Sequence, residues 1–187
     1  MTQVAPSNLR WQPTRAGLLN VWRFADETFE FHRGRLLLRG PNGAGKSMAL
    51  ELLFPFVLDA DSRPSKLTSG IKVRGGLFER VITGSDHPTR VGFVWAEFRR
   101  GDEVFTIGAR LRASQASRQV EADWFTSPLV VGTSLQLLDA DRLPIAKAAL
   151  ATAVGEGGML HPSAQDYRET VRHTLFPGFS AAQYNAL

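Results

Sequence analysis

The chain has 187 residues, of which 43% are apolar and 21% charged, and these values indicate one globular domain or slightly more. It contains no cysteine, which excludes disulfides and thiolate metal sites. The net charge of +4 comes mostly from arginine without a dense basic run, so the charge permits a nucleic-acid partner but does not by itself indicate one.

Membrane and export signals are not evident in the sequence. No apolar run approaches the roughly 18 to 20 residues that span a bilayer. Residues 1–10 have neither the apolar core nor the cleavage pattern of a signal peptide. We therefore expect a cytoplasmic protein.

The first elements predicted are strands. Residues 1–15 have the character of a polar lead-in. The apolar run Leu18–Trp22 and the alternating run Glu27–Phe31 predict a hairpin with its turn near Ala25 and Asp26. Arg35–Arg39 encloses three consecutive leucines and predicts a short strand buried on both faces of a sheet.

A helix and a long loop are predicted next. Met48–Val57 is apolar and predicts a buried helix, which Pro55 should kink or end. Residues 59–88 are rich in Ser, Gly, Pro and charge, which predicts a loop. The apolar stretch Leu77–Ile82 within it predicts a helical turn or short helix.

An antiparallel β region follows. Val91–Phe98 and Val104–Leu111 predict two strands, and the Gly101-Asp102 pair between them predicts a hairpin turn. Val120–Phe125 and Leu135–Leu138 are predicted to extend this hairpin as a meander.

The last part of the chain is predicted to be helical. Lys147–Val154 predicts a short helix stopped by Gly155. Ser163–Leu175 predicts another helix, in which Ser163 and the acidic residue three positions later form a capping box. Ser180–Leu187 opens like a third helix with no ending signal, so we expect the parent protein to continue beyond it.

One motif carries specific chemistry. Residues 40–47 read GPNGAGKS and match the phosphate-binding pattern G-x-x-x-x-G-K-[ST]. The glycines let backbone N–H groups turn towards phosphate oxygens, and the following helix presents its N-terminus to the anion. In this pattern Lys46 contacts the β- and γ-phosphates and Ser47 ligates Mg²⁺. A chance match has odds on the order of one in a hundred, so we expect the chain to bind Mg-ATP.

Hydrolysis also needs an acidic residue that holds Mg²⁺ and a group that positions water. The best local candidate is Asp139, at the end of the run LQLLD. A self-contained P-loop NTPase or kinase would need Asp139 at the end of a parallel strand beside Arg35–Arg39. The alternative interpretation is that Asp139 and Asp141 form a turn.

Three neighbouring segments resemble the N-terminal head lobe of SMC-type ATPases, which include SMC proteins, SbcC-type repair ATPases and MukB. These segments are the phosphate loop, the strand RLLLR before it and the upstream segment GLLNVWRFADETFEF. The resemblance covers residues 16–58 well and residues 71–112 loosely. It implies an α/β fold of the P-loop NTPase class, with an antiparallel β subdomain at 59–145 and helices at 146–187 that lead towards a coiled coil. The chain as a whole would then be one half of an ATPase head.

The resemblance also implies roles for particular residues. It places ATP at the loop and at the first turn of the helix after it, on residues Asn42, Gly43, Ala44, Gly45, Lys46, Ser47 and Met48. It suggests Arg74, in the segment VRGG, as an arginine that links DNA to hydrolysis, with a solvated loop arginine as the alternative. It suggests Gln183 as the glutamine of the loop between subdomains, with an ordinary helix residue as the alternative.

The partners implied by the resemblance belong to a split motor. The C-terminal lobe of the parent protein would supply the Mg-binding acid, the catalytic glutamate and the signature motif, so this chain alone should not turn over ATP. A second copy, a kleisin subunit, a winged-helix subunit and DNA would complete the assembly, with no membrane. The hairpin VGFVWAEFRRGDEVFTIGARLRAS is most similar to the MukB-related subunit of Wadjet-type defence condensins, which act on plasmid DNA. A non-catalytic DNA- or partner-binding module, in which nucleotide is only a structural ligand, is the further alternative.

Other conspicuous side chains receive structural interpretations. The four histidines lack metal-ligand spacing, and surface or capping roles are expected for them. Core positions are expected for Trp22, Trp95, Trp124 and Phe93. We expect a solvated face of the hairpin at Arg99, Arg100, Arg110 and Arg112. Contact of these arginines with DNA phosphates is the alternative.

Overall fold

The computed structural model describes residues 10–61 and 76–185. The strands in these ranges are β1 (Gln12–Val21), β2 (Phe24–Glu30), β3 (Thr89–Arg100), β4 (Glu103–Ser114), β5 (Gln119–Ser127) and β6 (Met159–Leu160). The helices are α1 (Lys46–Glu51), α2 (Val57–Asp59), α3 (Leu77–Ile82), α4 (Lys147–Ala153), α5 (Ala164–Leu175) and α6 (Ala181–Asn185). None of these described helices is long and apolar enough to cross a membrane.

The fold is a mixed α/β arrangement around one antiparallel sheet with the strand order β2-β1-β3-β4-β5-β6. Side chains alternate between the two faces of the sheet, and both faces are covered. On β3, Val94 and Ala96 face the helices that include α1, whereas Phe93 and Trp95 face a second cluster formed with the segment 129–154. This double coverage explains why the run VGFVWA at residues 91–96 is continuously apolar although its sheet is antiparallel.

The predicted β3–β4 hairpin and the β5 strand are confirmed. Arg100 pairs with Glu103 across the two-residue turn at Gly101-Asp102, and Gly101 has the positive φ of 60° that suits glycine. Trp95, Trp124 and Phe93 lie in the core as expected. Trp22 is only half-buried; it packs against the margin of the core, beside the loop at residues 40–47.

The first hairpin is confirmed with two corrections. β1 begins at Gln12, so the last four residues of the expected lead-in are strand. Val21 pairs with Phe24 and Leu19 with Asp26, which places the turn at Trp22 and Arg23 rather than at Ala25 and Asp26. The turn comes earlier because Trp22 adopts a positive φ of 52° and reverses the chain there.

The predicted strand Arg35–Arg39 is wrong. A narrow turn after β2 joins His32 and Arg35 through two backbone hydrogen bonds of 2.9 and 3.1 Å. Residues 36–40 then have no regular secondary structure, and Leu37 is 73% exposed. The run of leucines is apolar enough for a strand, but no described strand lies beside it to complete a ladder.

The predicted helix after the loop is confirmed. Pro55 does not end this helix, but the helix is irregular around it. α1 passes into a π-helical turn at Leu52–Phe56 and then into α2. Proline has no N–H to donate to the carbonyl one turn earlier, and the regular helical hydrogen bonding is interrupted where the π turn, a rare single-turn feature of helices, contains it. Leu52, Leu53 and Phe56 remain fully buried, which contributes about 1.5–3 kcal/mol for each side chain.

The predicted fourth meander strand at Leu135–Leu138 is also wrong. The segment forms isolated bridges from Leu135 to Val131 and from Leu138 to Pro144. Leu135 and Leu137 are buried against the second face of the sheet. Their alternation comes from packing over the sheet rather than from pairing within it. The strand that follows β5 in the sheet is the two-residue β6, which the sequence analysis missed.

The helical predictions in the second half are confirmed. α3 and α4 coincide with their predicted positions, and Gly155 follows α4 with a φ of 75°. Ser163 caps α5, because its Oγ accepts the backbone N–H of Asp166 at 3.1 Å. The remaining part of the predicted loop, residues 62–75, lies outside the described residues.

Two tyrosines attach the C-terminal helices to the end of α2. Tyr167 on α5 donates its hydroxyl to the Val57 carbonyl at 2.6 Å, and Tyr184 on α6 donates to the Leu58 carbonyl at 2.7 Å. These carbonyls lie at the C-terminus of a helix, where intrahelical donors run out. Burial raises the pKa of Tyr167 well above its usual value, and burial with the charge of Asp59 raises the pKa of Tyr184 to about 12.

We expect the stability of the fold to fall in alkaline solution because of these two groups. A tyrosine whose folded pKa is raised stabilises the fold fully below its unfolded pKa of about 10, and this contribution is lost as the pH rises through the folded pKa. Tyr167 and Tyr184 are the only tyrosines in the chain. Denaturant titrations across this pH range should therefore show a smaller fall for the double variant Tyr167→Phe/Tyr184→Phe. Tyrosinate absorbance at pH 10 in the folded chain would contradict the assignment.

Candidate phosphate-binding site

The loop at residues 40–47 has the backbone geometry of a phosphate cradle. Gly40, Gly43 and Gly45 all have positive φ values, of 157°, 83° and 88°. Gly45 is the N-cap of α1, so the loop ends where the free N–H groups of the first helical turn begin. The arrangement presents backbone donors and the positive end of the helix to the same space.

Lys46 lies across this loop. Its Nζ donates to the carbonyls of Gly40 at 2.7 Å and Pro41 at 2.8 Å. An ammonium group has three donors, so this position leaves one N–H for a further acceptor. Ser47 is the next residue of the helix and its side chain is exposed, which leaves its hydroxyl accessible to an ion or ligand.

The loop forms one wall of an open pocket of about 290 Å³. The residues that line it are Trp22, Asn42, Gly43, Gly45, Lys46, Ser47, Met48 and Glu51. Six of these are residues that the resemblance assigns to ATP; the seventh, Ala44, lies in the same loop and is exposed. This donor set would fit the phosphates of a nucleotide, and the Ser47 hydroxyl would be available to hold an accompanying Mg²⁺.

Gly45 is fixed by close aromatic contacts. A Cβ atom added there would lie 2.5 Å from the ring of Trp22 and 3.0 Å from the ring of Phe24. These two rings are 5.3 Å apart and belong to the β1–β2 turn and the start of β2. The first hairpin therefore supports the phosphate loop directly, which the sequence analysis did not predict for Trp22.

A buried ion pair supports the other side of the pocket. Glu51 on α1 pairs with Arg80 on α3, and their side chains are 7% and 2% exposed. Arg80 also lies 3.6 Å from the Met48 sulfur. Because Glu51 lines the pocket, its carboxylate would repel a phosphate if Arg80 did not neutralise it. A charged residue on an apolar helix face needs a partner. Glu51 on the apolar helix was therefore the signal in the sequence that could have indicated a buried ion pair.

Of the other two candidate residues, only Gln183 lies within the described residues, and it does not line this pocket. Arg74 lies outside the described residues. Gln183 is in α6, where its side chain accepts the Ser180 backbone N–H at 2.8 Å and its own N–H donates to Ser180 Oγ at 3.3 Å. This is a reciprocal capping box, so Gln183 has the role of an ordinary helix residue in the structure.

Asp139 occupies a turn and not the end of a parallel strand. Its Oδ1 accepts the backbone N–H groups of Asp141 at 3.0 Å and Leu143 at 2.9 Å. The turn interpretation of Asp139 is therefore confirmed, and its placement beside a strand at Arg35–Arg39 is wrong. Among residues 10–61 and 76–185, no group of three or more His, Asp or Glu side chains is arranged to hold a metal ion.

The arginines near the β3–β4 hairpin are all ion-paired. Arg99, Arg100 and Arg112 are partly exposed and pair with Glu97, Glu103 and Glu121. Arg110 departs from the expectation of a solvated face: it is 8% exposed and pairs with Asp123 at 3.0 Å. Carboxylates therefore balance the positive charge of this hairpin.

One histidine also departs from its expected surface role. His161 is buried, and its Nε2 lies 3.0 Å from Thr126 Oγ1. Burial lowers the pKa of His161, and the nearby Asp166 partly opposes this shift. His32, His87 and His173 are exposed as expected.

No protein-family model matches the chain, and no curated protein matches it significantly.

We expect the Arg80–Glu51 pair to stabilise the fold because each side chain neutralises the buried charge of the other. Arg80→Leu should destabilise the fold by about 3–5 kcal/mol, because it leaves the Glu51 carboxylate buried without its cation. The double variant Arg80→Leu/Glu51→Met should recover most of that loss, since it removes both charges. Unfolding in denaturant measures both effects.

The matched control is the exposed pair Arg112–Glu121. Arg112→Leu should change the free energy of unfolding by about 0–1 kcal/mol. Equal effects of Arg80→Leu and Arg112→Leu would show that the buried pair has no special role.

Proposed function

We propose that this chain binds Mg-ATP at the Gly40–Ser47 loop as the N-terminal half of an SMC-like, DNA-associated motor ATPase head. The observation that carries the proposal is the loop itself. Three glycines with positive φ lead into α1, and Lys46 Nζ lies over the loop within 2.8 Å of two of its carbonyls. When a triphosphate is bound, Lys46 exchanges these carbonyls for phosphate oxygens, and backbone N–H groups of the loop hold the remaining charge.

The segment before the loop supports the idea of a split head. Leu36, Leu37 and Leu38 are apolar, and Leu37 is 73% exposed. Leu50, on the exposed side of α1, is 43% exposed. In the proposed head, a strand and a surface of the C-terminal lobe cover these side chains. That lobe also supplies the Mg-binding acid, the catalytic glutamate and the signature motif.

The proposed reaction divides between the two lobes. Residues of this chain bind the triphosphate, orient it and, through Ser47, hold Mg²⁺. Mg²⁺ neutralises charge on the β- and γ-phosphates when it is bound. Attack by water depends on groups of the other lobe and of a second head. ATP binding then brings heads together, and hydrolysis releases them to act on chromosomal or plasmid DNA with kleisin and winged-helix subunits.

The direct test is Mg-ATP binding and turnover by the chain alone, with Lys46→Ala as the variant. Losing one charge-assisted contact should weaken binding by about 2 kcal/mol, which is roughly 30-fold in Kd. We expect no Lys46-dependent turnover by the chain alone, and turnover on addition of the C-terminal lobe. Calorimetry and phosphate release measure the two quantities.

Lys147→Ala is the matched control, because Lys147 is an exposed lysine that pairs with Asp123 at 2.6 Å, away from the loop. It should leave ATP affinity unchanged. Lys46-dependent turnover by the chain alone would refute the half-head and favour a self-contained enzyme. ATP binding without turnover in the presence of the C-terminal lobe would favour nucleotide as a structural ligand only. Failure of the chain to bind ATP would refute the nucleotide site.

A further inference from the structure

The β1–β2 turn has a backbone conformation that its sequence does not favour. Asn20 and Trp22 have positive φ values of 50° and 52°. For a bulky aromatic residue this conformation is unusual and persists only where the surroundings hold it. The contacts that hold Trp22 therefore also determine where its ring lies, and the ring lies on Gly45 of the phosphate loop.

Arg90 on β3 makes those contacts. Its Nη1 lies 2.6 Å from the Trp22 carbonyl, and its Nε donates to Asn20 Oδ1 at 3.1 Å. The same Nη1 lies 3.1 Å from the carbonyl of Val81 and 2.6 Å from that of Thr83, at the end of α3. Arg90 is 8% exposed. A planar guanidinium can join several carbonyls in this way, whereas a lysine offers a single point charge.

Arg90 connects the two supports of the phosphate pocket. On one side it holds the turn whose Trp22 ring packs on Gly45. On the other side it holds the end of α3, the helix whose Arg80 neutralises Glu51 in the pocket. Gly84 permits this arrangement, because a Cβ atom added there would lie 3.1 Å from the Trp22 carbonyl.

We propose that Arg90 is a positioning residue of the phosphate loop, which fixes the β1–β2 turn so that the Trp22 ring holds Gly45 in the conformation that binds phosphate. The inference rests on the proposed function and adds to it a residue outside the G-x-x-x-x-G-K-[ST] pattern. Arg90 acts through Trp22 and Gly45, and it does not contact the ligand. Arg90 therefore affects the affinity of the loop for the triphosphate part of a nucleotide.

The test compares the affinities of the full chain for Mg-ATP and for Mg²⁺ with inorganic tripolyphosphate. Arg90→Met should weaken both by the same factor, about tenfold or more, as expected when a supporting residue is lost. In a chain that already carries Trp22→Ala, Arg90→Met should add little, because the ring through which it acts is gone. Additive losses in this double-mutant cycle would overturn the proposal, as would a loss confined to ATP.

Arg110→Met is the matched control. Arg110 is equally buried and likewise donates to a carbonyl, that of Ile145 at 3.0 Å, but it supports the segment on the other face of the sheet. Arg110→Met should lower stability and leave both affinities unchanged. If it weakened both affinities as much as Arg90→Met does, the effect of Arg90 would be general destabilisation and the proposal would fail.

Two milder variants keep the test decisive if Arg90→Met does not fold. Arg90→Lys retains the charge but cannot hold Asn20 and the carbonyls together, so it should weaken both ligands. Gly84→Ala places a Cβ atom 3.1 Å from the Trp22 carbonyl, at a residue whose φ of 84° does not suit alanine, so it should displace that carbonyl and weaken both ligands as well. Normal affinities in both variants would refute the role of Arg90.

The wild-type chain and Lys46→Ala separate this inference from the proposed function. Lys46-dependent ATP binding that is indifferent to Arg90 and Gly84 overturns the inference alone. Absence of Lys46-dependent binding overturns the proposed function, and the role of Arg90 with it.

Discussion

The structure depends on the packing of the helical segment from Lys46 to Asp59 against one face of the antiparallel sheet. Its fully buried side chains, among them Leu52, Leu53 and Phe56, hold the segment in place although Pro55 interrupts its regular hydrogen bonding. The proposed phosphate-binding loop leads into the N-terminus of this segment. Its C-terminus is attached to α5 and α6 by two tyrosine hydroxyls. Because a close-packed interior has low compressibility and transmits strain, the position of the loop and that of the C-terminal helices are set together.

Three arginines of the described residues are buried and contribute to internal structure. Arg80 neutralises a pocket carboxylate, Arg90 joins the first hairpin to α3, and Arg110 holds the segment that covers the second face. A guanidinium group suits these positions because it stays charged and its planar donors reach several acceptors at once. On the β3–β4 hairpin, the exposed arginines pair with glutamates, so this face offers no cluster of unbalanced positive charge to a nucleic acid.

The sequence predicted those elements whose signals are local. The β3–β4 hairpin has long apolar runs on either side of Gly101-Asp102, and α5 has its Ser163 cap, so neighbouring residues were sufficient to place both. The errors fall on short leucine-rich runs. Arg35–Arg39 and Leu135–Leu138 are apolar enough for strands, but pairing needs a neighbouring strand that the local pattern does not reveal. One run is left partly exposed, and the other packs over the sheet.

The amino-acid sequence by itself determined the proposed phosphate-binding loop, because its glycines, Lys46 and Ser47 are neighbours in the chain and their spacing is the chemical signal. Only the tertiary structure decided what supports that loop. Trp22 and Arg90 are 68 residues apart, and Glu51 and Arg80 are 29 apart, so no local pattern could pair them. The physical reason is that buried charges and strained turns need specific partners, and the fold brings those partners together from distant parts of the chain.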